Sequence, residues 1–168
     1  MPLLKPAAPF DDPDWIYELK MDGFRALAIV EHGRVQLLSR NGNPFASFSA
    51  LAESISDSLP NGRAVIDGEI CSLDRRGKPQ FKNLLFHRGN PPCFFAFDLL
   101  TCDGKDLRTE QLLDRKQELR RLLAKTHPHF HCDLQPAVFV VASRAAPEAR
   151  LSGSRRTSAA REQMTFLK

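Results

Sequence analysis

The stretch that most constrains this chain is Cys93-Phe94-Phe95-Ala96-Phe97-Asp98-Leu99-Leu100, a nearly unbroken apolar run that carries one acid. Such a run predicts a strand buried on both faces. It therefore demands neighbours in a sheet and layers above and below it. The acid inside it, Asp98, needs either a partner or a task, because an ionised carboxylate in an apolar surround is costly.

The flanking sequence supplies those neighbours. Trp15 to Lys20, Phe24 to Val30 and Val35 to Leu38 are strand-like and are separated by turns at Asp22-Gly23 and His32-Gly33, which predicts an antiparallel meander. Ala64-Val65-Ile66 leads into Asp67-Gly68-Glu69-Ile70, and the charged segment Asp74 to Lys78 predicts a hairpin turn. Phe48, Leu51, Ala52, Ile55 and Leu59 recur at helical spacing, with Ser47 as cap and Pro60-Asn61-Gly62 as stop. A second helix is predicted over Glu110 to Ala124. Its stripe is Leu112, Leu113, Leu119, Leu122 and Leu123, and Arg115, Lys116, Glu118 and Arg121 lie on the other side. Phe81 to Gly89 has no clear pattern. Beyond Thr126 only Pro136 to Ala142 reads as a strand, and Ala142 to Ala160 is dominated by Ala, Ser and Arg. The expectation is an α+β fold of antiparallel sheets flanked by helices, over residues 1–130, followed by a divergent or disordered basic tail over 131–168.

Composition sets the bounds. A chain of 168 residues, 42% hydrophobic and 26% charged, fits one globular domain with a core. No stretch approaches the roughly 20 apolar residues that cross a bilayer, and Met1 to Phe10 lacks the features of an export signal, so a cytoplasmic protein without membrane contact is expected. Cys71, Cys93, Cys102 and Cys132 are scattered without a C-x-x-C pair, which predicts reduced, mostly buried thiols. The net charge of +4 comes from residues 134–168, while residues 1–133 balance 18 cations against 18 acids. A neutral body names no polyanionic partner unless its basic side chains cluster on one face.

Four constellations carry chemistry. In Glu18-Leu19-Lys20-Met21-Asp22-Gly23-Phe24-Arg25 a lysine at a strand end is followed by an acid, a glycine and an arginine. With each type at about 5% of residues, this coincidence is expected by chance on the order of once in a thousand such chains. A lysine attacks only as the free amine, which a cleft at a strand end favours by desolvation and neighbouring cations. Gly23 permits the tight turn that brings Arg25 to the same pocket, where a guanidinium fork suits sugar hydroxyls and phosphates. The bland alternative is a hairpin with an exposed Lys–Asp pair. Leu38-Ser39-Arg40-Asn41-Gly42 projects Arg40 beyond a sheet, or is simply an Asn-Gly turn. Asp67-Gly68-Glu69 places two carboxylates where they can hold a ribose hydroxyl or, with Asp98, a divalent cation, or else is a plain turn. Phe97-Asp98 offers a ring to stack on a flat base, or a core phenylalanine.

Taken in order, these four resemble the nucleotidyltransferase motifs of ATP-dependent DNA ligases, especially the bacterial end-joining type. The resemblance runs from about Pro9 to Pro128. It includes the lead-in Pro9-Phe10-Asp11-Asp12-Pro13-Asp14-Trp15 and the stretch from Asp103-Gly104-Lys105-Asp106-Leu107-Arg108 to Leu113-Asp114-Arg115-Lys116. It implies an ATP-grasp-like nucleotidyltransferase domain in which Lys20 attacks the α-phosphate of ATP and carries AMP. Glu18 and Leu19 would then lie near the adenine, Arg25 and Arg40 near the ribose and phosphates, Glu69 on the ribose, and Phe97 stacked on the base. It further implies a divalent metal (Mg or Mn), nicked or broken double-stranded DNA as partner, and a role in repair or recombination.

The family pattern continues with a Glu-Gly and a nearby lysine, then a lysine pair, then an oligonucleotide-binding barrel. Here Val138 and Ser143 fall at the glutamate and the first lysine, and Ser152-Gly153 with Thr165-Phe166-Leu167-Lys168 resembles the approach to the pair. The resemblance thus implies an incomplete domain, truncated or degraded at its C-terminus. Its activity would be weakened, and a partner chain would supply the barrel. The alternatives are a non-catalytic nucleotide-binding remnant, an RNA ligase or capping-type nucleotidyltransferase, and an unfolded gene remnant. The alternating histidines of Thr126-His127-Pro128-His129-Phe130-His131-Cys132 could bind zinc or form a solvated loop, and no metal ligand is assigned there.

Overall fold

The computed structural model describes residues 16–59, 61–124, 139–142 and 164–167. The strands are β1 (Ile16–Leu19), β2 (Phe24–Glu31), β3 (Arg34–Ser39), β4 (Arg63–Cys71), β5 (Cys93–Cys102), β6 (Lys105–Asp106), β7 (Phe139–Ala142) and β8 (Met164–Leu167). The helices are α1 (Ser49–Ser58), α2 (Phe81–Leu85) and α3 (Leu112–Ala124), and a 3-10 turn at Ala46–Phe48 leads into α1. The α+β class with antiparallel sheets and flanking helices is the observed one.

Six strands form the main sheet in the order β3-β2-β4-β5-β6, with β7 added to the same edge of β5 as β6. All pairings are antiparallel. β1 stands apart and pairs with β8 in a separate two-stranded ribbon. The apolar run from Cys93 to Leu100 is central, lying between β4 on one side and β6 and β7 on the other.

Strand alternation assigns the two faces. Ala26, Ala28 and Val30 of β2, Ile66 and Ile70 of β4, and Phe94 and Leu99 of β5 are buried on one face against Leu51 and Ile55 of α1 and Leu119 and Leu123 of α3. Each fully buried Val, Leu, Ile or Phe side chain among them stabilises the fold by about 1.5–3 kcal/mol. The opposite face carries Arg25, Asp67, Glu69, Phe97 and Asp98, above a small apolar cluster of Cys71, Cys93 and Phe95 with Met21 and Leu73 against it. The chemistry is therefore confined to one side of the sheet.

Several expectations are corrected. Asp67-Gly68-Glu69 is the interior of β4 and not a turn at its end. Gly68 is required there by close packing, since a Cβ would stand 2.4 Å from the Phe94 ring and 2.5 Å from the Phe95 carbonyl. Ser47 caps nothing: it lies inside the 3-10 turn, and α1 begins after Phe48 without a side-chain cap. The unclear segment after Pro79 forms α2. α3 starts at Leu112, with Leu113 turned to solvent at 62% exposure and Lys116 buried in its place. Within residues 131–168, β7 falls inside the expected strand, whereas β8 had no sequence signal and is drawn out by pairing with β1. Cys71 and Cys93 are buried free thiols and Cys102 is half-buried, while Cys132 and the histidines of 127–131 lie outside the described residues. No helix among the described residues is long and apolar enough to cross a membrane.

Candidate active site

Lys20 is the first residue after β1 and is exposed. The loop that follows is clamped to β4, because the Gly23 N–H donates to Glu69 Oε1 at 3.1 Å. The approach is so close that a Cβ on Gly23 would stand 2.0 Å from the Ile70 carbonyl oxygen. This contact, more than turn flexibility, explains the glycine. It brings Lys20 within electrostatic reach of Glu69. Burial raises the Glu69 carboxyl above the ordinary glutamate range, while the Gly23 N–H, Lys20 and Arg25 act in the opposite direction.

Arg25 and Glu69 face each other across β2 and β4. Arg25 also binds Asp67 through both carboxylate oxygens, Nε to Oδ1 at 3.1 Å and Nη2 to Oδ2 at 2.6 Å. Its guanidinium lies 5.7 Å from the centre of the Phe97 ring. Phe97 is placed by an irregularity. Asp67 pairs with Asp98 and Gly68 with Ala96, so Phe97 is an extra residue in β5. The resulting bulge turns Phe97 and Asp98 toward the same side, which regular alternation forbids.

Asp98 finds its partner in Arg115, Nε to Oδ1 at 2.8 Å and Nη2 to Oδ2 at 2.9 Å. The Asp67–Asp98 juxtaposition, unfavourable for like charges opposite each other in a sheet, is thus neutralised by two arginine forks of different character. Arg115 is 17% exposed and its Nη1 also donates to the Glu110 carbonyl, whereas Arg25 is 63% exposed. Arg115 is enclosed by the fold, and Arg25 stays open to solvent.

The third contact was not foreseen. Lys116 of α3 donates to Glu18 Oε1 in β1 and, at 2.7 Å, to the carbonyl of Phe97. Sequence reasoning placed Arg115 and Lys116 on the solvent side of the helix. The signal that could have found Lys116 is its spacing, since Lys116, Leu119 and Leu123 occur at helical intervals and are all buried. The signal for Arg115 was the lone acid in the apolar strand, which needed a cation.

The other expected residues are placed as follows. Leu19 ends β1 beside Lys20 and pairs through its backbone with Met164. Arg40 is exposed beyond β3, in a turn closed by Gly42 at φ 77°. Among the described residues no hydrogen bond, ion pair or ring contact joins it to Lys20, Arg25, Glu69 or Phe97. Val138, Ser143, Ser152, Gly153 and Lys168 lie outside the described residues. No three His, Cys, Asp or Glu side chains converge among the described residues, and Asp67 and Asp98 face arginines instead of a common point. The described residues do not fit a dedicated divalent-metal cage.

Residues 5–138 match the family described as ATP dependent DNA ligase domain. The multifunctional non-homologous end joining protein LigD of Pseudomonas aeruginosa is 38% identical over 114 residues, covering 66% of this chain and 14% of that protein. DNA ligase C2 of Mycolicibacterium smegmatis is 31% identical over 156 residues, covering 82% of this chain and 43% of that one. The chain thus spans less than half the length of these curated relatives. Among solved structures, the ligase domain of M. tuberculosis LigD superposes with a TM-score of 0.62 at 36% identity, over 67% of this chain and 38% of that one. Mycobacterial DNA ligase D complexed with ATP and MES gives a TM-score of 0.61 at 36% identity, with the same coverage.

Proposed function

Because this chain belongs to the ATP-dependent DNA ligase domain family, we propose that it is the nucleotide-binding part of a ligase adenylation unit in which Lys20 takes AMP from ATP. The observation that carries this reading is the convergence on Glu69 and Arg25: the Gly23 N–H and Lys20 act on Glu69, Arg25 lies opposite Glu69, and the Arg25 guanidinium lies by the Phe97 ring. An ATP-complexed ligase among the structural relatives supports ATP as the nucleotide.

In the proposed reaction the free amine of Lys20 attacks the α-phosphorus. An N–P bond forms as the bond to the bridging oxygen breaks, pyrophosphate leaves, and the amine gives up a proton. Glu69 accepts from the ribose, Phe97 stacks on the adenine, Glu18 accepts from the base and Leu19 lines it. Arg25 and Arg40 meet the phosphates and neutralise charge that develops on the transferred group. A divalent metal, Mg or Mn, is implied only by the family resemblance; it would supply further charge neutralisation on the triphosphate, and the described residues offer no cage for it. AMP then passes to the 5′-phosphate of a DNA break, and the neighbouring 3′-hydroxyl displaces it as the strand is sealed. The end-joining relatives support DNA over RNA as partner, and repair as the setting.

A second reading rests on Val138 and Ser143, which by resemblance occupy the acid and lysine positions that handle metal and phosphate. Loss of such contacts slows phosphoryl transfer by powers of ten, leaving a nucleotide-binding protein with little or no turnover. Intact mass spectrometry after incubation with ATP and magnesium separates the two. A gain of one AMP that is absent in Lys20→Ala supports adenylation. An adduct that persists in Lys20→Ala sinks the assignment of Lys20, and ATP binding without an adduct favours the second reading.

A further inference from the structure

We propose that Lys116 is a positioning residue for the nucleotide, coupling the strand that carries Lys20 to the bulge that carries Phe97 and thereby setting discrimination at the base. The proposal rests on the nucleotide-site reading above. Lysine is among the residues least often buried, yet Lys116 is only 7% exposed and shares the stripe of Leu119 and Leu123, which are 0% and 1% exposed. An apolar side chain would serve stability there as well or better, because a buried ion pair rarely outperforms its hydrophobic replacement. The lysine is therefore explained by what it holds.

It holds two different sheets. Glu18 belongs to the β1–β8 ribbon and Phe97 to the six-stranded sheet, and one ammonium bridges them. Among the described residues the Phe97 carbonyl lies between the two strands that pair with that edge of β5, since β7 covers Cys93 to Ala96 and β6 covers Thr101 and Cys102. There Lys116 supplies a donor that no described strand provides, and so fixes the backbone of the bulge. With the same ammonium it also donates to Glu18 Oε1, while Oε2 has no hydrogen-bond donor among the described residues. A base lying on Phe97 is thus flanked by a carboxylate whose direction Lys116 dictates. An ionised carboxylate is acceptor-only, so it favours a purine with an exocyclic amino group and disfavours one with an oxo group at the same position.

The test compares binding of ATP and of inosine triphosphate, which carries that oxo group, to the full chain by titration calorimetry. The wild type is expected to prefer ATP by about tenfold or more. Lys116→Met is expected to narrow the preference to within about threefold, mainly through weaker ATP binding, and Lys116→Arg to retain it. If Lys116→Met lacks a native near-UV dichroism spectrum, Lys116→Gln is measured in its place with the same expectation. A folded variant that weakens both nucleotides equally, or leaves the ratio unchanged, reduces Lys116 to a structural role and overturns the proposal. A wild type that binds both nucleotides equally overturns it while leaving the nucleotide site intact. A wild type that binds neither overturns the site reading and this inference with it.

Discussion

Asp67 and Asp98 stand directly opposite each other in β4 and β5, and each is closed by its own arginine fork, Arg25 in β2 and Arg115 in α3. Two acids side by side in a sheet repel, and each arginine offsets part of that repulsion. The arrangement divides labour: one fork is enclosed by the fold, and the other is open to solvent at the site.

The enclosed fork should dominate stability. Arg115→Ala leaves Asp98 buried without its cation and is expected to cost about 3–5 kcal/mol. Arg25→Ala should cost distinctly less, because removing an exposed side chain admits water to Asp67. Urea denaturation of both variants measures the difference. Equal losses would mean that Asp98 is as well hydrated as Asp67 once its arginine is gone.

Gly68 and Gly23 should resist even alanine. An added Cβ meets ring and backbone atoms at Gly68 and the Ile70 carbonyl at Gly23, and overpacking of this kind costs about 1–3 kcal/mol. At Gly42 a Cβ meets nothing within 4 Å, and only the positive φ is penalised, which holds the loss to about 1–2 kcal/mol. Thermal melts should rank Gly42→Ala above Gly68→Ala and Gly23→Ala. The reverse order would contradict the close approach of the Lys20 loop to β4.

Glu69 should make stability depend on pH. Its folded carboxyl is raised above the ordinary value of 4.5 by burial, so the folded state binds a proton more tightly than the unfolded state. The contribution is fully present below 4.5 and is lost as pH rises through the folded value. Glu69→Gln, whose amide oxygen still accepts from Gly23, should therefore gain on the wild type as pH is raised from 4 to 7. Chemical denaturation across that range measures the gap, and a gap that narrows with pH would mean that Lys20 and Arg25 outweigh burial.

Much of this architecture could be read locally. Alternation and turn residues in Phe24 to Ser39 report β2 and β3 because each residue's own neighbours decide whether it can pleat. The apolar run from Cys93 reports β5 for the same reason. The helix at Leu112 was also visible, but its rotation was not: the leucine count favoured a stripe through Leu113, whereas packing on the sheet buried Lys116 and exposed Leu113. A charge on a helix is assigned to solvent unless its partner is known, and the partner of Lys116 lies 98 residues away.

The sequence by itself determined strands β1 to β5, the two longer helices and the succession of Lys20, Arg25, Glu69 and Phe97 that joins this chain to its family, because spacing along a strand or turn is a local property. Only the tertiary structure decided which of those residues meet. The register of β4 against β5 set Asp67 facing Asp98 and made Phe97 the bulge residue, and the docking of α3 chose Arg115 and Lys116 as their partners. Strand register and helix rotation are settled by packing between segments far apart in the chain. No window of neighbouring residues contains that information.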